Sequence, residues 1–176
     1  AILTPTSVEA DTPTGWIPLP PMPHSTAEAT ACVLNGRLYV LGGVGGAGSG
    51  VATVEAYNPR TSTWRVGLPL SQRRQSAVAG VVGGRLVVAG GHGSGVGKLT
   101  SVEAYTPTGW TPLPPLPHRT SGATACVLNG RLYVMGGYAC DKLQVLEMSE
   151  ETGFSWTIKA DIPVRGMAHW EQATAQ

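Results

Sequence analysis

Two segments of this 176-residue chain are nearly identical and lie 94 residues apart. Residues 6–43 and 100–137 agree at 31 of 38 aligned positions, and a more diverged copy lies between them. Each copy ends in a pair of glycines, and the pairs are spaced by 48 and 46 residues: Gly42-Gly43, Gly90-Gly91 and Gly136-Gly137. A period of about 40–50 residues is typical of stacked β-units, which bury a core only against their neighbours. The repeat therefore predicts an all-β array rather than a single-core enzyme fold.

Each repeat unit is predicted to contain four short strands. The first two are apolar runs separated by a pair of turn residues: Asn35-Gly36, Gly83-Gly84 and Asn129-Gly130. Such a pair between apolar runs indicates a tight hairpin, because both central residues of a type I′ turn need positive φ. The second strand is nearly continuous in apolar residues, which is typical of a strand covered on both faces.

One tryptophan recurs in every unit, at positions 16, 64, 110 and 156, with steps of 48, 46 and 46 residues. A large side chain at a fixed place in the repeat is expected to anchor the packing of neighbouring sheets. A proline-containing segment follows each tryptophan. Since proline cannot donate to a strand ladder, these segments are predicted to end one unit and cross to the next.

The pattern resembles the kelch repeat. The residues that carry the resemblance are the apolar run ending in Gly-Gly, then Tyr57 or Tyr105, then Trp64 or Trp110. It covers essentially the whole chain, although Asp11 and Met148 stand where a tyrosine is expected. The resemblance implies a β-propeller of four-stranded antiparallel blades around a central channel.

We interpret residues 1–176 as one kelch-repeat domain with three complete units and partial units at both ends. The partial blades are residues 2–20 and 165–176, and units 1, 2 and 3 are residues 25–68, 73–113 and 119–159. Three complete units cannot close a ring of the size usual for kelch proteins. The expectation is therefore an incomplete propeller or part of a larger one, completed by further blades of the same polypeptide or by another copy, or by pairing of the two ends. The chain also starts within a repeat and lacks an initiator Met, which indicates a fragment or processed product.

Composition narrows the classes of partner. A net charge of +1, with 13% charged residues, gives no electrostatic footprint for nucleic acid. No apolar run approaches the roughly 20 residues of a membrane span, and the first residues lack the form of a secretory signal. Three cysteines and the absence of a glycosylation sequon favour an intracellular, cytoplasmic location.

Function is expected on the end of the array that carries the inter-unit crossings and the loops after the glycine pairs. In kelch proteins this is the usual ligand surface, so the resemblance implies a protein-binding module or scaffold. Arg73, Arg119 and Arg165 share one repeat position, where similar domains place Arg or Ser near the pocket mouth. Guanidinium groups there suit an acidic peptide segment, although each arginine could instead cover a tryptophan or pair locally. The predicted partner-binding residues are Arg73, Arg74, His92, His118, Arg119, Tyr138, Asp141 and Arg165.

No catalytic residue, cofactor or metal site is predicted. The alternative is a kelch-like enzyme, such as a metal-dependent oxidase, a sugar epimerase or a specifier-type protein. Its weak candidate residues are His92, Tyr138, Cys140 and Asp141. Two further repeated positions are interpreted as structural: the glutamates at 9, 55 and 103 as a solvated face, and the arginines at 37, 85 and 131 as strand starts on the opposite end of the array.

Overall fold

The computed structural model describes residues 6–138 and 140–161. Within these residues every regular element is a β-strand, which confirms the all-β prediction. Three antiparallel four-stranded sheets follow one another along the chain, and a two-stranded hairpin precedes them. In each four-stranded sheet the strands lie side by side in chain order, as in a propeller blade.

The bounds of the strands are as follows. Unit 1 contains Thr30–Leu34, Arg37–Leu41, Val54–Asn58 and Thr63–Val66. Unit 2 contains Val78–Val82, Arg85–Ala89, Val102–Thr106 and Gly109–Leu113. Unit 3 contains Thr124–Leu128, Arg131–Met135, Lys142–Ser149 and Gly153–Asp161. The leading hairpin pairs Val8–Thr12 with Gly15–Leu19. The described residues also contain two short strand pairs, Thr26–Ala27 with Val44–Gly45 and His92–Gly93 with Gly97–Lys98.

The predicted hairpins between the first and second strands are confirmed. In unit 1, Leu34 pairs with Arg37 across a two-residue turn in which Asn35 has φ 51° and Gly36 has φ 70°. The same closure occurs in units 2 and 3, also with positive φ at both turn residues. Both turn residues therefore adopt the left-handed conformation that Asn and Gly accept most readily.

The hydrophobic core lies between the sheets. The second strand of unit 2 is covered on both faces, because Leu86 and Val88 pack towards unit 1 while Val87 and Ala89 pack towards unit 3. This alternation follows from the two-residue period of a strand. All four side chains are fully buried. Each unit therefore depends on its neighbours for burial, as the repeat predicted.

The tryptophan series joins each unit to the crossing that precedes it. The indole N–H of Trp64 donates to the carbonyl of Pro20 at 2.8 Å. Trp110 and Trp156 repeat this bond one and two units further on, donating to the carbonyls of Leu68 and Pro114 at 2.9 Å. The predicted role as anchors between neighbouring units is confirmed for Trp64, Trp110 and Trp156, with a hydrogen bond that the sequence did not indicate, whereas Trp16 is 69% exposed.

The duplicated segments have different surroundings despite their near identity. Cys32 in unit 1 packs against the core that unit 1 shares with unit 2, and burial raises the pKa of its thiol to about 12. Its copy in unit 3, Cys126, is exposed, and so is Leu128 beside it. The same sequence is therefore covered by a neighbouring unit in one place and uncovered in the other.

Candidate functional site

One end of the array, which we call the loop face, carries the crossings between units and the loops that follow the glycine pairs. These two kinds of segment are bonded to each other in every unit. Thr26 pairs with Gly45 in unit 1, Gln75 forms a β-bridge with His92 in unit 2, and the N–H of Tyr138 donates to the carbonyl of Ser121 at 2.8 Å in unit 3. The loop face is therefore a connected backbone surface.

The glycine pairs fix the loop face to the next unit. The N–H of Gly43 donates to the carbonyl of Arg74, and the N–H of Gly91 donates to the carbonyl of Thr120, both at 2.8 Å. Gly91 has φ +92°, and a Cβ built there would lie 2.7 Å from the carbonyl oxygen of Gln75. Glycine is therefore required for both conformation and close approach of the backbones.

A buried polar side chain at one repeat position holds each crossing in place. Glu55 and Glu103 are each 2% exposed, so the interpretation as a solvated face is wrong for these two glutamates, whereas Glu9 is exposed as predicted. Gln144 occupies the corresponding place in unit 3 and is also buried. Each accepts a backbone N–H from the preceding crossing: His24 to Glu55 at 2.9 Å, Ser71 to Glu103 at 3.0 Å and His118 to Gln144 at 2.8 Å. Because the crossing covers it, each acceptor is removed from water.

Arg74 lies inside the protein rather than on the binding surface that the sequence suggested. Its side chain is 1% exposed, and its guanidinium donates to the carbonyls of Gly90 and Ser101, to Ser101 Oγ and to Glu103 Oε1. Burial lowers the pKa of the guanidinium, and the charge and hydrogen bond of Glu103 oppose that effect. Arg74 is therefore a buried structural partner of Glu103, because both terminal nitrogens of its guanidinium donate within the fold.

The residue at the repeat position of Arg74 makes the same hydrogen bond in all three units. Arg74 Nη1 donates to the carbonyl of Gly90 at 2.7 Å. Thr26 Oγ1 makes the same bond to Gly42 at 3.0 Å, and Thr120 Oγ1 makes it to Gly136 at 2.7 Å. The residue at this position therefore always satisfies the carbonyl of the first glycine, but only arginine is long enough to reach the buried acid as well.

A cleft of about 420 Å³ opens on the loop face between units 2 and 3. Two of the residues predicted from the sequence, His92 and Tyr138, lie in its wall. The remaining lining residues were not predicted, and they are Gln75, Gly97, Lys98 and Ser121. The cleft thus brings together both kinds of segment that were expected to carry function.

The contact between Lys98 and Tyr138 joins the two sides of the cleft. Lys98 Nζ donates to the carbonyl oxygen of Tyr138 at 2.8 Å and lies 4.4 Å from the centre of its ring. The side chain of Tyr138 is 77% exposed. A cation over an aromatic ring restrains both groups, so the cleft presents a positioned ring with a positive charge beside it. A signal for Lys98 was available, since it is the only charged residue in the loop 91–98.

The other predicted residues are spread over the loop face. Arg119 and His118 are exposed on the crossing into unit 3, and Arg73 lines a different pocket beside unit 1. Asp141 lies 3.2 Å from Lys142, which lowers the pKa of its carboxyl group through that hydrogen bond. Arg165 lies outside the described residues. Arg73 and Arg119, the two described arginines of this repeat position, therefore do not line one pocket.

The arginines that open the second strands lie at the opposite end of the array, which we call the hairpin face. Arg131 Nε pairs with Glu147 at 2.8 Å, and the guanidinium of Arg85 lies 5.7 Å from the ring centre of Phe154. Arg37 is exposed at the corresponding place in unit 1. These contacts are local, in agreement with the structural role that was predicted.

Among residues 6–138 and 140–161, no three His, Cys, Asp or Glu side chains are grouped so that they could hold a metal ion. In the same residues, no helix is long and apolar enough to cross a membrane.

Comparison with known proteins identifies the family. The model of the Kelch motif matches residues 25–69, 73–117 and 119–139. These matches fall on the three four-stranded sheets and cover more than half of the chain. The chain belongs to the kelch-repeat family, and its fold is that of an incomplete kelch β-propeller.

The known proteins that are similar to this chain include the following two. A zebrafish (Danio rerio) protein, Kelch repeat and BTB domain-containing protein 12, is 44% identical over 62 residues, which is 31% of this chain and 10% of that protein. The solved structure of YjhT superposes with a TM-score of 0.78 at 18% identity, covering 90% of this chain and 60% of YjhT. The second likeness concerns the fold alone. This chain spans a small part of the first protein and about three fifths of the second.

Proposed function

We propose that this chain is a protein-interaction module or scaffold that binds its partner on the loop face, at the cleft between units 2 and 3. Membership of the kelch family supports the general role. The cleft supports the location, because the bond between Lys98 and the carbonyl of Tyr138 fixes an exposed aromatic ring across the boundary of two units. Exposed aromatic groups on a rigid surface are frequent anchors of protein interfaces.

We further propose that the partner presents an acidic segment to this cleft. Lys98 and His92 lie in its wall, and Arg119 is exposed on the adjoining crossing. A carboxylate entering the cleft would accept charge-assisted hydrogen bonds, and neighbouring cations would raise its association rate. Intracellular, cytoplasmic action remains our prediction from the sequence.

A further kelch unit, from the same polypeptide or from another copy, is expected to pack on unit 3. The support is the exposed face at Cys126 and Leu128, whose copies in unit 1, Cys32 and Leu34, pack against unit 2. This contact would be structural and separate from the recognition of an acidic partner.

The proposed function is tested by reversing one charge at either end of the array. The bait is the full chain in a lysate of the cells that make it, and the variants are Lys98→Glu on the loop face and Arg37→Glu on the hairpin face. Because both variants change the charge equally, non-specific electrostatics affects them alike. We expect Lys98→Glu to lose at least about tenfold in affinity for the purified partner, and Arg37→Glu to bind normally.

Two results would contradict the proposal. The first is equal capture by Lys98→Glu and the wild type, which would place the interface elsewhere. The second is competition by a ten-residue polyglutamate peptide that is no stronger than competition by a neutral peptide. That result would contradict an acidic binding segment in the partner, but not binding at the cleft.

A further inference from the structure

The three units provide an internal comparison at the buried acceptor that holds each crossing. In unit 2, both oxygens of Glu103 are bonded: Oε2 accepts from Ser71, and Oε1 accepts from Arg74 at 2.8 Å. In unit 3 the pair is neutral, with Gln144 in place of the acid and Thr120 in place of the arginine. The charge of the buried acceptor is therefore matched by the residue at the position of Arg74 in both of these units.

Unit 1 has the acid without the arginine. Glu55 Oε1 accepts the backbone N–H of His24 at 2.9 Å and lies 2.7 Å from His24 Nδ1. Glu55 Oε2 is buried and has no hydrogen-bond partner among the described residues. Glu55 Oε1 accepts the backbone N–H of the crossing, as Glu103 Oε2 does in unit 2. Glu55 Oε2 therefore corresponds to Glu103 Oε1, the oxygen that accepts from Arg74. Thr26 occupies the position of Arg74, but its hydroxyl is bonded to the carbonyl of Gly42.

We propose that this place in unit 1 is a binding site for a guanidinium or primary ammonium group, supplied by a basic side chain of a protein partner. We call it the unit 1 socket and define it by Thr26, Thr53, Glu55 and the carbonyl of Gly42. The bound cation takes the place that the guanidinium of Arg74 takes beside Glu103. A buried carboxylate oxygen without a partner is costly, so a charged donor there gains a strong hydrogen bond.

The route to the socket is the pocket of about 440 Å³ beside unit 1 on the loop face. Thr53 and His24 line this pocket, and the side chain of His24 is about half exposed. His24 lines the pocket and its Nδ1 lies 2.7 Å from Glu55 Oε1, so we infer that a ligand in this pocket reaches Oε2 past the imidazole. Arg73 lines the same pocket and opposes the approach of a cation, and Arg73→Gln should therefore strengthen binding severalfold.

The first test uses a free probe with a matched neutral analogue. N-acetyl-arginine amide and N-acetyl-citrulline amide have nearly the same shape, but only the first carries a charge. In an NMR titration of the whole chain, the arginine probe should shift the amides of Gly42 and Thr53 saturably, and the citrulline probe should not. Glu55→Gln should weaken binding at least about tenfold, and Thr26→Arg should abolish it.

The second test fills the socket from within the chain. Thr26→Arg should raise Tm by about 3 °C, because the new guanidinium meets Glu55 as Arg74 meets Glu103. The same substitution in unit 3, Thr120→Arg, meets neutral Gln144 and should lower Tm, and Gln144→Glu should restore it. This control distinguishes stabilisation by the charge of the acid from stabilisation by filling the space with a larger side chain.

The proposal concerns a second site on the loop face and rests on the proposed binding function only for the source of the cation. Absence of saturable binding by the wild type, equal binding of the citrulline probe, or undiminished binding by Thr26→Arg would each overturn it. A rise in Tm for Thr26→Arg without probe binding by the wild type would overturn it as well, since the position would then be only structural. None of these results bears on capture of the partner through Lys98.

Discussion

Arg74→Thr should destabilise the protein by about 3–5 kcal/mol, because it leaves the carboxylate of Glu103 buried without its charged partner. The pair is fully enclosed, with side chains 1% and 3% exposed, so water cannot replace the lost guanidinium. Threonine is a suitable replacement, since Thr26 and Thr120 occupy this position in the other units and bond the glycine carbonyl. Urea denaturation monitored by tryptophan fluorescence measures the loss.

Unit 3 provides the model for a control variant, because its residues at these two positions are both neutral. The double variant Arg74→Thr with Glu103→Gln reproduces the neutral arrangement of Thr120 and Gln144. It should be more stable than Arg74→Thr alone by about 2 kcal/mol, because no charge is then left buried. Equal stability of the single and double variants would show that the charge pair is not what Arg74 contributes.

Gly43→Ala should cost about 2–5 kcal/mol and weaken the contact between units 1 and 2. Gly43 has φ +99°, and a Cβ there would overlap Thr26 Oγ1 and the carbonyl of Ala27. The substitution therefore combines a strained backbone with a steric clash at the point where Gly43 bonds the carbonyl of Arg74. Thermal unfolding of the variant measures the effect.

Gly36→Ala isolates the conformational part of this effect. Gly36 also has positive φ, +70°, but a Cβ there has nothing within 4 Å. It should cost only about 1–2 kcal/mol, the usual penalty of a left-handed backbone. If Gly36→Ala and Gly43→Ala lose the same stability, close packing of Gly43 against Thr26 and Ala27 in the crossing into unit 1 is not important.

The sequence predicted the fold well because its main signals are periodic and local. The glycine pairs, the two-residue turns and the tryptophans each recur once per unit, and each has a direct backbone or packing reason. The alternation of Leu86 to Ala89 between two cores follows from the strand period alone. The bond from each tryptophan indole to the preceding crossing needed coordinates, because the donor and acceptor are 42–44 residues apart.

The candidate site was predicted only in part. The loop face and two of the cleft residues, His92 and Tyr138, could be selected from their place after the glycine pairs. The burial of Glu103 could not be predicted from the sequence, because a charged residue in a strand is usually solvated unless a distant partner covers it. The ion pair with Arg74 spans 29 residues, and the contact of Lys98 with Tyr138 spans 40. Both depend on the way in which units are placed side by side.

The claim that recognition takes place on the loop face can be tested most directly by photo-crosslinking from matched positions in unit 3. Benzoylphenylalanine is introduced in place of Tyr138 on the loop face or in place of Leu128 next to the Asn129-Gly130 turn. Both side chains are well exposed, at 77% and 56%, and they are ten residues apart in the same unit. Crosslinked proteins are then identified by mass spectrometry.

We expect position 138 to crosslink a specific protein that position 128 does not, and Lys98→Glu to remove that crosslink. A crosslink from position 128 alone, or equally from both positions, to a protein other than a further kelch unit of this polypeptide or of another copy would contradict recognition through the loop face.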